Sequence, residues 1–343
     1  MQKTNAVPVT ILCIAPILIL FTVILSILYG AKSIDAETVW NALFHFDSSD
    51  VNHNIIITSR LPRVVAALLV GAFLAISGAL MQGMTRNYLA SPSIMGVTDG
   101  AAFVITLCMI FLPGMSSIGM VVCSMIGSAL GAGIVFGFGS LLQNGLSPVR
   151  LAIIGTVIGT FLSSVSAAMA SYFQISQNVS FWFNAKLDQV DPNIIKITIP
   201  FGVIGIVLAL LISKSITILS LGEEVSINLG QRTKLVKAMA ILSVIFLTGT
   251  AVALVGKVGF VGLIIPHITR FIIGVDYKWI LPCAGVIGGV FLALCDVLSR
   301  FVNYPFETPI GVVTSLIGIP FFLYLIRTRG GETCLKAQIN VSE

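Results

Sequence analysis

Residues 238–275 read AMAILSVIFLTGTAVALVGKVGFVGLIIPHITRFIIGV, an apolar run of 38 residues broken near its middle by Gly256-Lys257. A membrane's hydrocarbon core is roughly 30 Å thick and takes about 20 apolar residues per helical pass. The run is therefore either one long kinked segment or two spans, and the fold turns on which. Its surroundings are equally apolar: over 343 residues, 57% are hydrophobic, 10% are charged and the mean hydropathy is +1.04. That leaves too little polar surface to cover a water-soluble globule. The chain reads as an integral membrane protein.

Outward from 238–275, the candidate spans are 8–30, 61–84, 94–112, 118–142, 149–173, 194–213, 238–256, 258–275, 279–298 and 310–326. The first apolar region is too long for a cleaved signal. Lys and Arg decide the doubtful division. With ten spans and the N-terminus inside, eleven fall inside (Lys3, Arg86, Arg150, Lys214, Arg232, Lys234, Lys237, Lys278, Arg327, Arg329, Lys336) and seven outside (Lys32, Arg60, Arg63, Lys186, Lys196, Lys257, Arg300). Merging the pair gives about eight inside against nine outside, so the positive-inside rule favours ten spans and two cytoplasmic termini. With only loops between the spans (31–60 and 174–193 outside, 214–237 inside), residues 1–343 form one all-α transmembrane domain.

Several function classes fall away. The six cysteines are scattered without a CxxC pair, which gives neither a disulfide framework nor a metal site. No HExxH, GxSxG or Cys/His ligand cluster is present, so no catalytic residue is assigned. Gly256-Lys257 is a failed nucleotide loop: Ala251 stands where a glycine is needed and Val258 where Ser/Thr is. The formal charge of +5 is dispersed among loops, a topology signal rather than a nucleic-acid footprint. Transport, reception or a scaffold role remain.

The inner stretch ILSLGEEVSINLGQRTK (218–234) is the most informative loop. Leu221, Val225 and Leu229 are spaced i, i+4, i+8 as one stripe of a short helix, with Glu223 and Glu224 in its first turn and Gly222 and Gly230 at its ends. Such a helix either lies on its own bundle or lipid, or is a peg offered to a groove on a cytoplasmic partner.

Taken together, GALMQGMTRNYLASPSIMGV (78–97), RLPR (60–63), SLGEEVSINLG (220–230), VGFVGLIIPHITR (258–270), DVLSR (296–300) and ETPIGVVTSLIGIPFF (307–322) resemble the motifs of the FecCD-type permeases. These are the membrane subunits of binding-protein-dependent ABC importers for iron–siderophores, haem and vitamin B12. The resemblance runs in order over nearly the whole chain. It implies a ten-helix bundle in the bacterial inner membrane. The expected partners are a second permease subunit, identical or paralogous, a pair of ATP-binding subunits holding the ATP and Mg, and an extracytoplasmic siderophore-binding protein. No cofactor is expected in this chain. The sequence departs from the family pattern at Tyr88, where Pro is usual, and at Tyr277-Lys278, Cys295 and Thr308.

Individual residues carry competing readings. Arg60 and Arg63 flank Pro62 at the start of the second span, and Arg300 closes the ninth. They snorkel to headgroups, pair internally, for instance with Glu307 or, for Arg300, with Asp296 one turn away in its own helix, or, as the resemblance implies, receive glutamates of the binding protein. Gln82, Asp99, His267, Arg270 and Asp296 are polar groups near or within the membrane, where they are costly. A structural role competes with a proton relay through Asp99, His267 and Asp296; His267 follows Pro266 in a motif expected to fix a helix break. Asn87, Tyr88, Leu89, Ser91 and Pro92 in the elbow, opposite Asn144, Ser147 and Pro148 in the next inner loop, are candidate lining of a cytoplasmic gate. Trp182 reads as an interfacial anchor or a lid. A ferric siderophore needs no metal-ligating side chains from the permease; haem or cobalamin import and a proton-coupled transporter are the alternatives.

Overall fold

The computed structural model describes residues 6–30, 34–141, 148–183, 187, 190–303 and 306–339. Among them the regular structure is helical, with one isolated bridge between Asn303 and Phe306. Helix α1 is Ala6–Leu28, α2 Ala36–Phe44 and α3 Val51–Ile55, which passes through a π-helical turn, Ile56–Arg60, into α4, Leu61–Thr85. There follow α5 Val97–Phe111, α6 Ser117–Leu141, α7 Pro148–Tyr172, α8 Ser176–Phe183, α9 Pro192–Leu211, α10 Ser213–Leu221 and α11 Glu223–Asn228. The series ends with α12 Thr233–Val255, α13 Val261–Ile273, α14 Tyr277–Ser299 and α15 Ile310–Ile339.

A helix lies on each expected span. Among the described residues, seven segments are long and apolar enough to cross a membrane: α1, the continuous Val51–Thr85, α6, Arg150–Tyr172, α9, α12 and α14. Three apolar helices, Val97–Phe111, Val261–Ile273 and Ile310–Tyr324, are shorter. The apolar run 238–275 does split. Gly256 and Phe260 both have positive φ, 80° and 67°, and end α12 and start α13 respectively. The break therefore precedes Pro266, which sits inside α13 and does not interrupt it, contrary to the expectation for the Pro266-His267 motif.

Local chemistry sets the ends. Arg86 caps α4 in the left-handed conformation, and Gly96 opens α5 with φ 72°. Asp191 caps α9 by accepting from the Asn193 N–H at 2.8 Å, with Pro192 in the first turn; Asp276 caps α14 by accepting from the Lys278 N–H at 3.0 Å.

Helix α4 is the axis of the bundle, buried along nearly its whole length and packed by α12, α13 and α14. Without water to drive apolar surfaces together, membrane helices gain by close approach of backbones at small residues. A Cβ on Gly78 would sit 1.8 Å from the Gly262 carbonyl oxygen, and one on Gly71 2.2 Å from that of Gly288. The α5–α6 hairpin closes the same way, Gly100 lying against Gly127 and Gly131.

Candidate functional site

Polar side chains gather at three levels. At one end, Arg63 donates from Nε and Nη2 to Asp296 at 2.9–3.0 Å and from Nη1 to Glu307 at 2.8–2.9 Å. Arg300 donates to Asp296 Oδ2, which Arg63 Nε also reaches, to the Ser26 hydroxyl at 2.7 Å, and to the Ser26 and Tyr29 carbonyls, each at 2.7 Å. Arg60 donates to the carbonyls of Ile27 and Leu28. The last carbonyls of a helix have no partner inside it and carry negative partial charge, so two arginines finish α1. Arg60, Arg63 and Arg300 are only 7%, 7% and 4% exposed. The structure thus pairs Arg63 with Asp296 and Glu307 and Arg300 with Asp296, while Arg60 is taken up by α1 carbonyls, and in the single chain none of the three is an exposed docking group. An arginine fork is drawn to a carboxylate at depth because each alone in low dielectric is far costlier than the pair.

At the opposite end, Gln82 donates to the Leu263 carbonyl at 3.1 Å and accepts from Arg270 at 3.0 Å, while Arg270 also donates to the Tyr277 hydroxyl at 3.2 Å. The Tyr88 ring lies 4.5 Å under the Arg270 guanidinium, and His267 meets the edges of Tyr88 and Phe321. Tyr88, the departure from the elbow pattern, is thus bound to α13 by a cation–π contact that a proline cannot make. Nineteen residues separate Arg63 from Gln82 on α4 and Tyr277 from Asp296 on α14. At 1.5 Å per residue that is ~28 Å, the thickness of a hydrocarbon core. The two clusters bracket it.

The third cluster lies between them. Lys257 Nζ is 2.6 Å from Asp99 Oδ1 and 3.0 Å from Ser163 Oγ, which itself donates to Asp99 Oδ1 at 3.1 Å. Phe111 and Phe173, at the matching ends of α5 and α7, have ring centroids 5.7 Å apart. Asp99 is twelve residues before Phe111 and Ser163 ten before Phe173, hence ~18 and ~15 Å in from that end. The pair sits near the middle of the bundle, and Lys257 is not the outer-loop lysine of the charge count. Asp99 lines a broad, open cavity of about 510 Å³ together with Ser93, Ile94, Thr156, Gly159, Thr160, Ser163, Ser164 and Ala167. Gly159 admits the carboxylate, since a Cβ there would stand 2.5 Å from Asp99 Oδ2. The side chains of Lys257 and Asp99 are 31% and 21% exposed in the single chain.

Asp99, His267 and Asp296 therefore belong to three separate clusters rather than to one relay among the described residues. The inner loop also differs from its expectation. Gly222, at φ 148°, breaks it into α10 and α11, so Leu221 ends one helix while Val225 lies on the next and Leu229 caps it. All three remain exposed, at 63%, 44% and 66%. Glu223 pairs with Lys237 at 2.7 Å, Glu224 stands beside it in the first turn, and Gly230 follows α11 with φ 77°. In the elbow, Asn87 caps the turn through its side chain to the Leu89 N–H at 3.0 Å, and Ser91 is held to the Ile94 N–H at 3.3 Å. Pro92 packs near Gly262. Asn144 and Ser147 lie outside the described residues, and Pro148 opens α7. Trp182 packs beside Ala101, Ile105 and Val252.

Sequence reading missed the hydroxyl face of α7. Its signal was present as Thr156, Thr160, Ser163 and Ser164 at helical spacing. Lys257 was misplaced because a charge count treats every interruption of an apolar run as a loop.

A family model described as the FecCD transport family matches residues 18–328. The chain is 59% identical to the iron-uptake system permease protein FeuB of Bacillus subtilis over 322 residues, 94% of this chain and 96% of that one. It is 50% identical to the iron(3+)-hydroxamate import system permease protein FhuB of the same organism, covering 88% of this chain and 79% of that one. An inward-facing metal-chelate type ABC transporter superposes with a TM-score of 0.78 at 28% identity, covering 93% and 99% of the two chains.

Proposed function

As a member of the FecCD transport family, to which this chain belongs, the protein is a multi-pass membrane permease of the ABC importer class, and we propose that its cargo is a ferric siderophore. Relatives named for iron uptake and iron(3+)-hydroxamate import support the cargo. In this reading the chain crosses the bacterial inner membrane ten times with both termini in the cytoplasm. It pairs with a second permease, takes its load from an extracytoplasmic binding protein, and is driven by an ATPase pair that supplies ATP and Mg and grips the exposed Leu221, Val225 and Leu229. The binding protein meets the end of the bundle at which Arg63 and Arg300 lie buried against Asp296 and Glu307.

The observation that carries the reading is the level of the Lys257–Asp99 pair. Ionisable groups partly exposed near the bilayer middle are expensive against lipid and are found facing a bundle interior or a water-filled cavity. The hydroxyl face of α7 beside them supports a shared path between two permease copies. The chain carries out no hydrolysis; it supplies the two-state mechanics that nucleotide biases in its partner.

The test is reconstitution with the ATPase and binding protein, followed by chelate-stimulated ATP hydrolysis and uptake across ferric siderophores, haem and cobalamin. Stimulation by a siderophore is expected. Stimulation by haem or cobalamin alone overturns the cargo assignment, and ATP-independent uptake overturns the importer class.

A further inference from the structure

Asp99 is the one charged group among the described lining of the cavity near the middle of the bundle, and Lys257 is its bonded partner. The two are not held alike. Asp99 is the third residue of α5, where the helix N–H groups and dipole favour a carboxylate, and Ser163 also donates to it. Lys257 directly follows Gly256, the C-cap of α12, in a non-helical link, and its ammonium is a point charge on a flexible four-carbon stem that can swing while its backbone stays put. Of the pair, the lysine can change partners while Asp99 stays in place.

We propose that Lys257 is a cargo-contacting cation of the translocation path, passing from Asp99 to the anionic periphery of a ferric chelate, its carboxylate or catecholate oxygens, as the chelate crosses the bilayer middle. The inference rests on the importer reading and adds the chemical class of the cargo and the residue that reads it. In the empty path Asp99 neutralises the ammonium, so no unpaired cation faces the cavity. An arriving oxyanion takes the same position relative to Nζ, a charge-assisted hydrogen bond replacing another of its kind. Thr156, Thr160 and Ser164 offer hydroxyls that donate or accept and so grip the remaining periphery without demanding one charge state. Because Asp99 competes for the ammonium, capture is weak enough to be followed by release, which conduction requires.

The experiment uses the complete complex of permease, ATPase and binding protein in proteoliposomes, measuring uptake of the ferric chelate that the wild type carries and the thermal midpoint of each variant. Lys257→Gln is expected to lower uptake roughly tenfold or more. Lys257→Arg is expected to retain most of it. The charge-swapped double variant, Asp99→Lys with Lys257→Asp, rebuilds an ion pair and is expected to restore the thermal midpoint without restoring uptake. Uptake restored by the swap shows a merely structural pair and overturns the proposal, as does unchanged uptake in Lys257→Gln. A wild-type complex that carries only neutral or cationic ferric chelates also overturns it while leaving the importer reading intact. A wild-type complex that carries no ferric chelate overturns the cargo assignment instead.

Discussion

Asp296 is the residue on which the arginine cluster depends. It is 1% exposed and accepts from both Arg63 and Arg300, leaving the exposed Glu307 as the second carboxylate of the cluster. Breaking a buried charge network by removing one partner costs about 3–5 kcal/mol because the remaining charges stay in low dielectric. Asp296→Asn is therefore expected to lower the thermal midpoint in detergent or nanodiscs by many degrees. An unchanged midpoint would show that water reaches the guanidiniums. The sequence displayed all five charged groups and offered pairing with Glu307 as one reading, but three arginines and two acids allow several pairings. Which forms is decided by α1, α4 and α14 meeting at one level.

Helix packing and helix breaks belong to the next scale. Gly78 and Gly262 let α4 and α13 touch backbone to backbone, so Gly78→Ala must push the helices apart, a cost of about 1–3 kcal/mol or more. Gly133, where an added methyl would meet nothing within 4 Å, serves as control. Gly133→Ala is expected to be neutral or stabilising by ~0.5–1 kcal/mol, and equal effects at the two positions would refute the packing account. The coupling segment yields a functional prediction. Replacing Leu221 and Leu229 with Ser is expected to leave the thermal midpoint unchanged, since both side chains are exposed, yet to abolish chelate-stimulated ATP hydrolysis. Gly222→Ala, forced towards a φ that disfavours a side chain, should show the same loss. Retained coupling in both would assign the ATPase contact elsewhere. The period of Leu221, Val225 and Leu229 was legible as a stripe; the bend at Gly222 was not, because glycine permits a break without requiring one.

For the whole molecule, the topology makes a prediction that distinguishes loops from breaks. A cysteine at Gly114, in the exposed α5–α6 turn, is expected to react with a membrane-impermeant thiol reagent from outside intact cells, and one at Gly230 only after permeabilisation. A cysteine at Lys257 should react more slowly than at Gly114 and be protected by the transported chelate. Labelling at Gly230 from outside would invert the topology.

Composition and apolar run length by themselves determined that this is an all-α membrane protein, where its long apolar helices lie, though not the short α2, α3 and α8 that occupy the expected loops 31–60 and 174–193, and, through ordered motifs, its family. These follow from local demands: each segment in hydrocarbon must satisfy its own backbone hydrogen bonds, so hydropathy alone locates the helices. Only the tertiary structure decided that Arg60, Arg63 and Arg300 turn inward, that Tyr88 binds Arg270, and that Lys257 reaches Asp99 near the middle of the bundle. Those outcomes depend on which helices meet and at what depth, set by glycine contacts between segments distant in sequence. A charge in the sequence has a sign but no depth, and its partner and its cost depend on depth.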